Sequence, residues 1–120
     1  MNKTKGATES EISKALIQWQ KEYLGRGPIA VKTDILRDLV IVILRGILTP
    51  AEYALCKDKE GVLLIKKSRT DLIESGIEDL KRLIFNITDE EVVSFHTDVS
   101  TKTGERMMTF KLASNLEKKY

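Results

Sequence analysis

Ala30-Val31-Lys32-Thr33-Asp34-Ile35-Leu36-Arg37-Asp38-Leu39-Val40-Ile41-Val42-Ile43-Leu44-Arg45-Gly46 is the stretch from which the fold can be read. Aliphatic and β-branched residues dominate it, and the polar pair Arg37-Asp38 divides it. It therefore reads as two strands, 30–36 and 39–46, folded into a hairpin. Pairing Leu36 with Leu39 sets a register in which Val31, Thr33 and Ile35 share a face with Val40, Val42 and Leu44. That face is almost wholly apolar and is the expected core. The other face carries Lys32 and Asp34 beside Leu39, Ile41, Ile43 and Arg45. Three large apolar side chains turned away from the core form a patch worth covering. Leu39, Ile41 and Ile43 are accordingly the candidate self-association residues. Neither Arg37 nor Asp38 takes positive φ as readily as Gly or Asn, which leaves a longer loop and a shifted register open.

A second hairpin closes the domain. Val92 to Val99 and Arg106 to Leu112 alternate cleanly, and pairing Val99 with Arg106 places Val93, Phe95, Thr97, Met108, Phe110 and Leu112 on one face. Ser94, His96, Asp98, Met107, Thr109 and Lys111 fall on the other.

Helical periodicity fills the rest. Thr8 to Glu11 matches a capping box, and Ile12, Ala15, Leu16, Trp19 and Tyr23 form a stripe, predicting a helix over about 9–24. Gly25, Gly27 and Pro28 stop it. Thr49-Pro50-Ala51-Glu52 is a second helix start, with Thr49 as cap and Pro50 at the first helical position. Gly61 is expected to break or bend this second helix. Beyond it Leu63, Thr70, Ile73, Ile77, Leu80 and Ile84 predict one long amphipathic helix to about Phe85, with Gly76 inside it. The fold class is therefore α+β, in the order α-β-β-α-α-β-β, a four-stranded mainly antiparallel sheet with helices packed on one face. Residues 1–7 are expected to be a disordered polar tail and 8–120 a single domain.

Composition excludes several functions. The chain has 120 residues and a net charge of +2, a balance that draws it to neither nucleic acid nor an anionic membrane. One cysteine (Cys56) allows no internal disulfide, and one histidine (His96) no multi-His metal centre. No metal and no cofactor is expected. The longest apolar run, Leu39 to Leu44, is too short to span a bilayer, which needs about 18 residues. The polar start lacks the apolar stretch of an export signal, so Asn86-Ile87-Thr88 is not read as a glycosylation site and a cytoplasmic location is expected.

The unusual segment is His96-Thr97-Asp98-Val99-Ser100-Thr101-Lys102-Thr103-Gly104-Glu105-Arg106. His96 and Asp98 project from one strand face, an arrangement suited to a proton shuttle, yet no second His and no nucleophile accompanies them, so no catalytic residue is assigned. The turn Thr101-Lys102-Thr103-Gly104 can offer backbone donors and a lysine to an anion. It lacks the phosphate-loop spacing, and a hairpin turn needs a Gly there in any case. His96, Asp98, Ser100, Lys102, Gly104 and Arg106 are the candidate ligand or partner contacts. The helix-strand-strand-helix-helix-strand order is superficially that of a KH module. The G-x-x-G clamp is missing, because Lys57-Asp58-Lys59-Glu60-Gly61 stands in its place.

Taken together, Gly27-Pro28, Leu39-Val40-Ile41-Val42, Leu48-Thr49-Pro50-Ala51-Glu52 and the His96-to-Arg106 block resemble the MpsC-like domain family, over about Glu11 to Lys118. That family is named after a bacterial membrane-potential-generating system linked to cation translocation and inorganic-carbon uptake. The resemblance implies a soluble accessory to membrane transporter subunits carried on other chains, placed in the cytoplasm or peripherally at the membrane through such a partner. It supplies no catalytic residues. The expectation is a non-enzymatic interaction subunit, self-associating as a dimer. A small-ligand or anion sensor built on the His96–Arg106 hairpin is the alternative, and a KH-like nucleic-acid module is less favoured still.

Overall fold

The computed structural model describes residues 3–120. Four α-helices and a four-stranded antiparallel sheet form an α+β domain, with every strand neighbour antiparallel in the order β1-β2-β4-β3. Strands β1 (Ala30–Leu36) and β2 (Leu39–Arg45) pair as expected, from Leu36 opposite Leu39 to Ala30 opposite Arg45. The turn is the two-residue one that local chemistry disfavours, with Arg37 at φ 56°. Distant residues hold it. The Arg37 amide donates to Glu117 Oε1 at 3.0 Å, and the Arg37 carbonyl accepts from the Glu117 amide at 3.2 Å. Asp38 pairs with Lys111 at 2.7 Å while its carbonyl accepts from the Leu112 amide. Tertiary partners thus offset a local cost on the order of 1 kcal/mol.

Helix α1 (Lys5–Leu24) starts earlier than predicted because Thr4, not Thr8, is its cap. The Thr4 hydroxyl accepts from the Ala7 amide, and Thr8 instead donates its hydroxyl to the Thr4 carbonyl. Residues 5–7 of the expected polar tail are therefore helical, whereas Met1 and Asn2 lie outside the described residues. Gly25, at φ 79°, ends the helix.

The capping box of Thr49 and Glu52 opens α2 (Pro50–Leu55), and Asp58 caps α3 (Lys59–Glu74). The break precedes Gly61, whose missing side chain admits the Leu55 carbonyl: an added Cβ would lie 1.6 Å from that oxygen. The predicted long helix is in fact two. It is interrupted at Gly76, after which α4 runs from Ile77 to Thr88. The stacked rings of Trp19 and Tyr23, with centroids 4.8 Å apart, pass over Gly76, and a Cβ there would come within 2.5 Å of Trp19.

Strands β3 (Val92–Val99) and β4 (Arg106–Leu112) pair with Val99 opposite Arg106, as the alternation requires. A bulge between Val92 and Ser94 corrects one expectation. Val92, not Val93, stands opposite Leu112 against the core, and Val93 is exposed. Helices cover one side of the sheet. Ile12 and Leu16 of α1, Ile65 and Ile73 of α3, and Leu80 and Ile84 of α4 join Ile35, Val40, Val42, Leu44, Met108, Phe110 and Leu112 in one core. A final 3-10 turn, Leu116–Lys119, adds Leu116 to it.

Candidate functional site

The side of the sheet away from the helices is open. Along its central strand β2 stand Leu39, Ile41 and Ile43, half-buried, with Lys66 of α3 reaching the face beside Ile43 and Met107. Leu36 lies opposite Leu39, Thr109 opposite Ile41, and Met107 opposite Ile43. Leu36 and Met107 are 41% and 50% exposed, so the apolar surface extends onto both adjacent strands. Charges of both signs rim it, arranged as ion pairs: Lys32 with Asp34 and Arg45 with Glu105, each at 3.2 Å, and Lys111 with Asp38. Such surface pairs contribute little stability, yet they leave the rim without a net sign.

The His96–Arg106 hairpin does not gather its candidate residues into one site. His96 and Asp98 lie on the open face, opposite Thr109 and Met107. His96 is exposed and makes no side-chain hydrogen bond among the described residues. Asp98 turns to Lys66 of α3 at 3.2 Å and accepts from the Val99 amide. That amide contact, ahead of the Lys66 pairing, outweighs partial burial and lowers the Asp98 pKa. Ser100, Lys102 and Gly104 form the turn itself. Its amides are spent internally: Ser100 donates to the Glu105 carbonyl, Gly104 to the Ser100 carbonyl, and Thr103 to the Ser100 hydroxyl. Only the Thr101 and Lys102 amides of the turn have no acceptor among the described residues. Gly104, at φ 72°, lies against the Tyr53 hydroxyl, where an added Cβ would stand 1.9 Å from the phenol oxygen. Its role is the turn and this packing.

Arg106 corrects the grouping most sharply. It is 1% exposed and faces the core, because it shares the alternation of Met108 and Phe110. Its guanidinium donates to Thr97 Oγ1 at 2.8 Å and to the Arg69 carbonyl at 2.9 Å, with no carboxylate of the described residues within ion-pair distance. Burial, reinforced by the Arg69 charge, lowers its pKa to about 10. The alternation that puts Met108 in the core is the sequence signal for this placement.

Beside it, Arg69 holds Glu52 through Nε at 2.8 Å and Nη2 at 2.5 Å, and Nη2 also donates to the Ile47 carbonyl. Burial tends to raise the Glu52 pKa, but the Arg69 hydrogen bond and the Thr49 amide prevail and lower it. Among the described residues no cluster of three or more His, Cys, Asp or Glu side chains could hold a metal ion, and no helix is long and apolar enough to cross a membrane.

With this geometry in view, the sequence comparisons define the class. Residues 4–114 match the family model described as "Na+-translocating membrane potential-generating system (MpsC)", and the chain belongs to that family. It is similar to the "Uncharacterized protein YbcI" of Bacillus subtilis (strain 168), with 64% identity over 118 residues covering 98% of this chain and 95% of that protein. No solved structure matches.

Proposed function

We propose that this protein is a non-enzymatic interaction subunit that pairs with a second copy through the open face of its sheet. In this reading it serves as an accessory to the membrane subunits of a cation-transport system, and it is cytoplasmic or held at the membrane by that partner. The observation that carries the self-association is the run of Leu39, Ile41 and Ile43, widened by Leu36 and Met107, on a sheet face that the chain's helices reach only through Lys66 at the Asp98 side. The balanced rim supports a like partner, since a copy brings both signs to meet both signs. The transport role rests on the family description alone.

The size of the face sets the expected affinity. Seven-residue strands at about 3.4 Å per residue, four abreast at about 4.8 Å, give roughly 24 by 19 Å. Two such faces bury on the order of 900 Å², below the roughly 1,200 Å² at which standard interfaces begin, so a weak dimer is expected. Sedimentation velocity over a micromolar concentration series tests it. Wild type should shift from monomer to dimer, and Ile41→Glu should remain a folded monomer. A wild type that stays monomeric throughout the series rejects the reading.

A further inference from the structure

A cavity of about 360 Å³ lies between the end of α1, the Gly25–Pro28 loop, the segment after β2 and the middle of α3. Its walls include Leu24, Ile47 and Leu72, and its polar groups include Gln20, Arg26 and Arg69. A volume of this size suits a small organic ligand, and an apolar pocket with a few convergent polar groups is the usual form of such a site.

Gln20 is the telling residue. It is only 3% exposed, and no side-chain hydrogen bond of its amide is found among the described residues. No fully enclosed side-chain nitrogen or oxygen there lacks a partner, so the small accessible area of Gln20 falls on its amide, at the cavity. Arg69 repeats the pattern. It lines the same cavity; its Nε and Nη2 are taken by Glu52 and the Ile47 carbonyl, and its Nη1 has no partner among the described residues. Both groups are open to the cavity, and polar donors converging on one concave, partly aliphatic space are what a small-ligand site presents.

Charge and shape narrow the class. Glu52 and Arg69 neutralise each other, whereas Arg26 pairs with no carboxylate among the described residues and is anchored by donating to the Ile47 and Gly46 carbonyls. One uncompensated cation suits one negative charge, and the aliphatic walls suit a compact apolar body. We propose that the cavity binds a small monocarboxylate, its carboxylate received by Arg26, Arg69 Nη1 and the Gln20 amide, its hydrocarbon part against Leu24, Ile47 and Leu72.

The test uses benzoate and isovalerate as probes on the full chain, with benzamide as the uncharged counterpart of benzoate. Thermal unfolding should shift upward with at least one carboxylate and not with benzamide, and amide NMR shifts should change at Gln20 and Arg26. Arg26→Ala, at an exposed position, should weaken binding about tenfold by loss of the single charge. Gln20→Leu should weaken it similarly while the ligand-free protein melts no lower, since an unpartnered polar group is replaced by an apolar one of similar size. Ile41→Glu should bind the probe like wild type, so failure of this site and failure of the dimer are read separately. No response to either carboxylate, an equal response to benzamide, or unaltered binding in both cavity variants would overturn the proposal.

Discussion

Replacing Arg106 by Met tests how a buried cation without a carboxylate is carried. Lowering its pKa from 12.5 to about 10 corresponds to about 3.5 kcal/mol at about 1.4 kcal/mol per unit, the cost of holding the charge in place. Two charge-assisted hydrogen bonds, to Thr97 Oγ1 and the Arg69 carbonyl, return about 1.5 kcal/mol each. The two nearly cancel. Removing the guanidinium strands neither acceptor: Thr97 still donates to the Met107 carbonyl, and the Arg69 carbonyl lies within α3. Met keeps the length and fills the space with apolar atoms, so Arg106→Met should lie within about 1 kcal/mol of wild type. Arg106→Ala, which leaves a cavity, should lose about 3 kcal/mol. Urea unfolding followed by circular dichroism gives both numbers, provided the slope is unchanged between variants. If the Met variant loses as much as the Ala variant, the charge contributes net stability and the cancellation argued here is wrong.

The remaining predictions concern packing, pairing and pH. Gly104→Ala should cost more than about 2 kcal/mol, from positive φ and from collision with Tyr53, and Tyr53→Ala should recover part of that loss in a double-mutant cycle. Thr49→Ala removes half of the capping box and should cost about 1 kcal/mol in urea unfolding. Glu52, Glu90, Asp98, Asp38 and Glu117 all have pKa values held below their ordinary range in the folded chain. The unfolded state therefore binds more protons in acid. Their contribution is full above the unfolded values and is lost as pH falls below about 5 through the folded ones. A melting temperature that rose on acidification over this window would contradict that sign.

The register of the second hairpin is legible in the sequence because a one-residue slip would reverse its alternating side chains. That of the first is less firmly fixed, since β2 is apolar on both faces and only β1 alternates. The tightness of the Arg37-Asp38 turn is not legible, since it depends on Glu117 and Lys111, far away along the chain. The split of the long helix falls at Gly76, the one local signal the sequence carries there, and the rings of Trp19 and Tyr23 from α1 fill the space its missing side chain leaves. The start of α1 turns on a choice between two threonines four apart, and the early one prevails. Of the proposed contacts, Leu39, Ile41 and Ile43 stand on the open face that the pattern assigns them. Chain proximity groups Arg106 with His96 and Asp98, whereas strand parity separates it from them, and parity governs. Gln20 carries no motif, although it continues the buried series Thr8, Ile12, Leu16 at steps of four. A polar residue at the end of such a series is the signal to follow.

The irregularity at Val92–Ser94 has a bearing on polymer growth. An open sheet has two borders along which further chains could add and build a ribbon. At one border the bulge on β3 kinks the strand and spoils its template. At the other, the Glu9 carboxylate takes up the Ile35 amide of β1 at 2.7 Å. Both borders are interrupted, so a pair formed as proposed through the flat side would offer no unbroken edge for a further chain to extend.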